Sequence, residues 1–167
     1  ARVTVELVSS ARPWPELAAR GISVTPVDSV MLEARAASLA GRSIKTSSKT
    51  AALDLAIRCV DLTTLEGADT PGKVRALAGK ALRPDPLDAT VPSVAAVCVY
   101  PTLVRVAAEA VAGSSVQVAS VAGAFPSGLS YIDLRIAEIR RAVADGAHEI
   151  DIVLNRSAFL AGRYQEA

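Results

Sequence analysis

Hydrophobic and polar positions change rhythm several times along this chain. At the start, Val3, Val5 and Leu7 alternate with polar residues, a short-strand pattern that Pro13 and Pro15 then break. From Pro26, the spacing of Val30, Leu32 and Ala36 predicts a helix. A polar stretch, Gly41 to Thr50, separates it from a second helical run, Ala51 to Ile57. Residues 1–50 are expected to form an N-terminal extension, ahead of a main domain over 51–167.

The main domain repeats one unit. Cys59 to Leu65 is a short apolar and β-branched run ended by Gly67. Thr70-Pro71 follows, a capping residue with proline at the first helical position. Val74, Leu77, Ala78 and Ala81 then mark one helical face, and Pro84 and Pro86 stop the helix. The second unit has a strand over Val94 to Tyr100. Its helix opens at Pro101-Thr102, carries Leu103, Val106, Ala107, Ala110 and Val111, and closes at Gly113. The third strand lies within Val116 to Phe125. Its helix is expected from Ser130, with Asp133 completing a capping box, Ile132, Ile136, Ile139 and Val143 buried, and Gly146 as C-cap. A fourth strand, Glu149 to Leu154, leads into a last helix.

Strand and helix alternating without hairpin signals imply right-handed crossovers and a parallel sheet. Strand two is apolar at every position and strand three nearly so, as in a sheet covered on both faces. The fold class is α/β, and periodicity leaves a doubly wound sheet and a (β/α)8 barrel both open. Neither G-x-G-x-x-G nor G-x-x-x-x-G-K-[ST] occurs, which counts against nucleotide-binding forms.

Composition narrows the partners. Hydrophobic residues make up 51% but aromatics only 4%, so the core must be built from Ala, Val, Leu and Ile. A net charge of +1 gives no reason to expect nucleic acid or an anionic membrane. No apolar stretch is long enough to span a bilayer, and no basic-then-apolar leader opens the sequence, so the cytoplasm is the expected compartment. Cys59 and Cys98 lie in apolar runs and read as reduced, buried thiols. Asn155-Arg156-Ser157 is then a chance glycosylation match.

Two carboxylates stand where burial would be costly: Asp61 in the first strand and Asp151 in the fourth, between Ile150 and Ile152. In a closed barrel both could point inward, with shifted pKa values suited to proton transfer. The competing reading is a helix cap or a core ion pair. Cys98 has no basic neighbour in sequence and reads most simply as a small buried hydrophobe. His148, the sole histidine, precedes the fourth strand at the end away from the expected active face, and makes no metal site by itself. The Ala124 to Gly128 turn could approach a ligand through its backbone. The lysines are Lys45, Lys49, Lys73 and Lys80. None lies in or at the end of an apolar strand, where desolvation would make an amine nucleophilic.

Taken in order, four segments resemble deoxyribose-phosphate aldolase in its longer form with an N-terminal extension. They are Asp61-Leu62-Thr63-Thr64-Leu65-Glu66-Gly67-Ala68-Asp69-Thr70; Ala95 to Pro101; Val118 to Ala122 with Phe125-Pro126-Ser127-Gly128; and Gly146 to Arg156. The resemblance implies a (β/α)8 TIM barrel of which this chain carries about the first four units. It implies cleavage of 2-deoxy-D-ribose 5-phosphate to glyceraldehyde 3-phosphate and acetaldehyde through a Schiff base, within deoxyribonucleotide catabolism, with no metal or other cofactor. By the same resemblance Asp151 is the proton-relay residue and Asp61 supports the lysine network, while Thr63, Leu65 and Cys98 line the substrate cleft. The imine lysines belong to later strands, as does the phosphate site. The partners implied are a small phosphorylated sugar and a second copy in a homo-oligomer, a dimer. Where relatives often carry a lysine early in the third helix, this chain has Asp133.

The chain is accordingly expected to be the N-terminal portion of such an enzyme and inactive alone. Two other readings compete: a non-catalytic half-barrel that self-associates as a binding or scaffold protein, and a (β/α) isomerase or lyase using Asp61 and Asp151 as an acid–base pair without an imine.

Overall fold

The computed structural model describes residues 27–167, so the expectations for Val3, Val5, Leu7, Pro13, Pro15 and Pro26 lie outside the described residues. The chain divides into two compact units, one up to Ser43 and one from Ile44 to Ala167. In the first, helix α1 spans Ser29–Ala40. The Asp28 carboxylate caps it, accepting from the Met31 N–H at 2.9 Å. Val30, Leu32 and Ala36 lie in α1 as expected, and none of its residues is buried.

The second unit opens with helix α2 (Thr46–Arg58), which starts inside the stretch expected as a polar linker. Thr46, Ser47, Ser48 and Lys49 carry no apolar rhythm, so hydropathy spacing detects the helix only from Ala51. Strand β1 (Asp61–Thr63), helix α3 (Pro71–Leu82) and strand β2 (Ala96–Val99) follow. A 3-10 turn over Pro101–Leu103 runs into helix α4 (Val104–Ala110). Strand β3 (Gln117–Ala122), helix α5 (Ile132–Ala144), strand β4 (Glu149–Ile152) and helix α6 (Arg156–Leu160) complete it. The expected cap on α3 is present, with the Thr70 hydroxyl accepting from the Lys73 N–H at 3.2 Å. The Ser130–Asp133 box does not form, since α5 starts after Tyr131 without a side-chain cap.

All four strands are parallel and lie in sequence order, β1-β2-β3-β4. A doubly wound sheet reverses strand order at a switch point, and this sheet does not. Its helices pack on one side. Leu62, Val97, Val99, Val118 and Ile150 meet Val74 and Ala78 of α3, Val104 and Ala107 of α4, and Ala142 of α5. Among the described residues helices cover this face alone, so the cover expected on the second face is not supplied by them. Continuous apolarity in β2 and β3 arises because the second face carries small residues, Ala96, Cys98, Ala119 and Val121, which form a separate cluster.

Two helix faces differ from expectation. In α4 the fully buried positions are Val104 and Ala107, while Leu103 and Val106 are half-buried, because the 3-10 turn shifts the helix phase. In α5, Ile132, Ile136 and Val143 are exposed at 65%, 40% and 53%, Ile139 is half-buried, and Ala142 is the fully buried contact. Arg135, Glu138 and Ala142 recur at helical spacing, and the first two charged side chains bond backbone groups of the sheet's loops. A hydropathy reading assigns such charges to solvent and so rotates the helix.

Candidate active site

Register decides which side chains share a face. Asp61 pairs with Ala96 and Thr63 with Cys98; Cys98 pairs with Ala119, Ala119 with Glu149, and Val121 with Asp151. Paired residues in a parallel sheet project to the same side. Asp61, Thr63, Cys98 and Asp151 thus stand together on the face turned away from the helices. Leu65, just beyond β1, packs half-buried against the same small cluster, as do Tyr100 and Phe125 from the loops after β2 and β3. Their rings meet edge to face, with centroids 6.3 Å apart.

Cys98 is the hub. Its sulfur lies 3.9 Å from Asp151 Oδ2, a contact that crosses β3. Neighbouring strands are roughly 4.8 Å apart, so residues on β2 and β4 meet only over a small side chain. Ala119, registered with Cys98, leaves that gap. Burial is the main cause that pushes the Cys98 thiol up to about 11, and the Asp151 carboxylate adds to it. A hydrogen bond with Thr63 opposes the shift, and Asp61 reinforces it. Cys98 is therefore a neutral, buried thiol, whereas Cys59, expected buried, is exposed.

Asp61 and Asp151 are both exposed, which corrects the expectation that strand position buries them. No helix covers this face, and the small cluster walls only its middle. An exposed carboxylate beside such a cluster can exchange protons with a bound molecule or water.

The loop after β1 is held by charge. The Thr64 hydroxyl donates to Asp69 Oδ1 at 2.9 Å and the Glu66 N–H to Asp69 Oδ2 at 3.0 Å. The Lys73 ammonium lies 2.7 Å from Asp69 Oδ1 and 2.6 Å from Glu66 Oε2. Its hydrogen bond to Asp69 is the first cause that raises the Lys73 pKa above its ordinary value, so this amine is held as ammonium and is unsuited to attack a carbonyl. The same bond lowers the Asp69 carboxyl. Lys45 is the N-cap of α2, Lys49 lies in its first turn and Lys80 near the end of α3, all exposed and none on a strand.

His148 is structural. Its Nδ1 accepts from the Val118 N–H at 3.2 Å, and the His148 backbone N–H donates to the Val118 carbonyl at 2.8 Å, aligning the start of β4 against β3. Among the described residues, no three His, Cys, Asp or Glu side chains gather into a metal site.

Sequence reasoning gave no role to Tyr100, Arg135 or Glu138. Their signal is position: each lies at, or reaches, the C-terminal end of a strand, where α/β sheets carry their sites. The Ala124–Gly128 turn lies there too. Gly128, at φ +71°, is so close to β4 that a Cβ would stand 3.1 Å from Val153 Cγ1 and 3.3 Å from the Val153 and Leu154 carbonyl oxygens.

No protein-family model matches the chain. It is 43% identical to human deoxyribose-phosphate aldolase over 136 residues, which is 75% of this chain and 43% of the human protein. Among solved structures, the aldolase QR15 superposes with a TM-score of 0.57 at 30% identity, over 65% of this chain and 44% of that one. A tetrameric deoxyribose phosphate aldolase from Aeropyrum pernix, at 23% identity and TM-score 0.54 over 68% of this chain and 44% of its own, shares the fold. The chain spans 43% of the length of the curated human relative it matches. The ordered motifs, the parallel β/α arrangement and this identity agree: the chain is a relative of the deoxyribose-phosphate aldolases.

Proposed function

We propose that this chain serves a class I aldolase that cleaves 2-deoxy-D-ribose 5-phosphate to glyceraldehyde 3-phosphate and acetaldehyde. The observation that carries the reading is the gathering of Asp61, Thr63, Cys98 and Asp151 on the helix-free face of one parallel sheet. The sequential strand order and single-sided helices support closure into a (β/α)8 barrel, with residues 51–167 as its first half behind an extension over 1–50.

In this reading Asp151, with a water, moves the proton on and off the carbon next to the imine. The neutral thiol of Cys98 and the hydroxyl of Thr63 make one wall of the cleft, and Leu65 covers it from the β1 loop. Asp61 stands on the same face of β1, and in this reading it meets an ammonium group brought from another strand. The imine-forming amine is not one of the chain's own four, because Lys73 is ion-paired and Lys45, Lys49 and Lys80 lie on helices. Taken alone, the chain should form no imine and turn over no substrate. Exposed apolar side chains such as Ile132 and Leu134 support a homo-oligomer, which we take to be a dimer. Among the described residues no helix is long and apolar enough to cross a membrane, and the cytoplasm remains our assignment.

Borohydride trapping tests the chemistry. The intact protein incubated with 2-deoxyribose 5-phosphate and borohydride should gain a reduced adduct on a lysine other than Lys45, Lys49, Lys73 and Lys80. An adduct on one of those four would overturn the assignment. Cleavage insensitive to borohydride would favour an acid–base lyase using Asp61 and Asp151 without an imine.

A further inference from the structure

Two charged residues on the sheet-facing side of α5 have no part in the reaction as proposed. The Glu138 Oε2 atom accepts from the Gly123 N–H at 2.7 Å and from the Ala124 N–H at 3.0 Å. Those two residues sit at φ +78° and +63°, consecutive left-handed conformations that aim successive N–H groups at one point. Such a turn is an anion cradle, and here the anion is the protein's own carboxylate. An alanine rests in that region only when something holds it there. The next residue is Phe125, whose ring closes over the cluster containing Cys98. One turn back along α5, Arg135 Nη2 donates to the Val153 carbonyl at 2.8 Å, two residues past Asp151. The Arg135 guanidinium lies against Gly123, its Nε 3.4 Å from where a Cβ would stand. That Nε is shielded from solvent with no hydrogen-bond partner among the described residues.

We propose that Glu138 and Arg135 are positioning residues for the cleft: Glu138 sets the Gly123–Ala124 turn and thereby the Phe125 ring, and Arg135 fixes the exit of β4 behind Asp151. The functional half of this rests on the aldolase reading of that face. The geometry is tested without turnover, so failure of the reaction leaves the test standing.

Cys98 is the reporter, because it is 2% exposed within the cluster against which Phe125 packs. In the intact protein, alkylation at pH 9 is followed at the Cys98 peptide by mass spectrometry. Loss of two charge-assisted bonds in Glu138→Ala should speed labelling by about tenfold or more. Glu138→Gln, whose amide oxygen still accepts both N–H groups, should stay within about threefold of the parent. The acceleration should be nearly independent of low urea, as for local opening. If Glu138→Ala does not fold, Glu138→Asp, one methylene shorter, should show the same acceleration. For Arg135→Met, amide exchange at Leu154 to Arg156 should quicken by about tenfold. An unchanged Cys98 rate, a urea dependence matching global unfolding, or a Gln variant as fast as the shortened ones would overturn the Glu138 assignment. Unchanged exchange at the β4 exit would overturn that of Arg135.

Discussion

At the scale of single residues, Cys98 and Gly128 carry the sharpest consequences. With its pKa raised from 9.0 to about 11, Cys98 holds about a hundredfold less thiolate at neutral pH than an ordinary thiol. Peptide-mapped alkylation at pH 8 should therefore label exposed Cys59 at least about 100-fold faster than Cys98, and equal rates would contradict the burial described. The sign for stability follows. Folding favours the protonated thiol, so its contribution is complete below pH 9.0 and fades as pH rises towards about 11. Gly128 tests the β3–β4 approach. Gly113 and Gly128 share a left-handed φ, but a Cβ at 113 meets open space while one at 128 meets Val153 and Leu154. Gly113→Ala should cost about 1–2 kcal/mol from backbone strain alone, and Gly128→Ala more, read from urea midpoints. Equal costs would mean the close approach is absent.

Elements show how far hydropathy spacing carries and where it stops. It found β1 to β4 and the helices between them, because β2 and β3 are apolar runs set between Pro or Gly, and β1 and β4 carry apolar residues with a glycine close by, Gly67 after β1 and Gly146 before β4. It placed Thr70 and Pro71 at the start of α3. It failed on α5 for a stated cause: Arg135 and Glu138 face the loops of the sheet, and charge in a helix reads as solvent-facing. It also missed the first turn of α2, whose Ser and Thr residues have no apolar rhythm. Asp61 and Asp151 were located by their apolar neighbours, yet their exposure depends on what covers the second face, which no local pattern encodes. Packing tests the corrected α5 face. Ala142→Leu should destabilise by about 1–3 kcal/mol through overpacking, while Val143→Ser, at an exposed position, should stay within about 0.5 kcal/mol. The reverse order would restore the stripe read from the sequence.

Over the Ile44–Ala167 unit, one arrangement links fold to function. The helices cover one face of a parallel sheet, and the other carries a thiol, a hydroxyl and two carboxylates on neighbouring strands. Such a surface can serve an enzyme whose remaining groups come from other strands, in keeping with a chain that spans 43% of its human relative's length. The central claim is that Asp151 carries the proton relay there. Its most direct test is kcat for 2-deoxyribose 5-phosphate cleavage by the intact protein bearing Asp151→Asn. The substitution keeps the side-chain shape and removes the base, so kcat should fall by about 10²–10⁴ with the fold unchanged by circular dichroism. A variant turning over at the parent rate would contradict it.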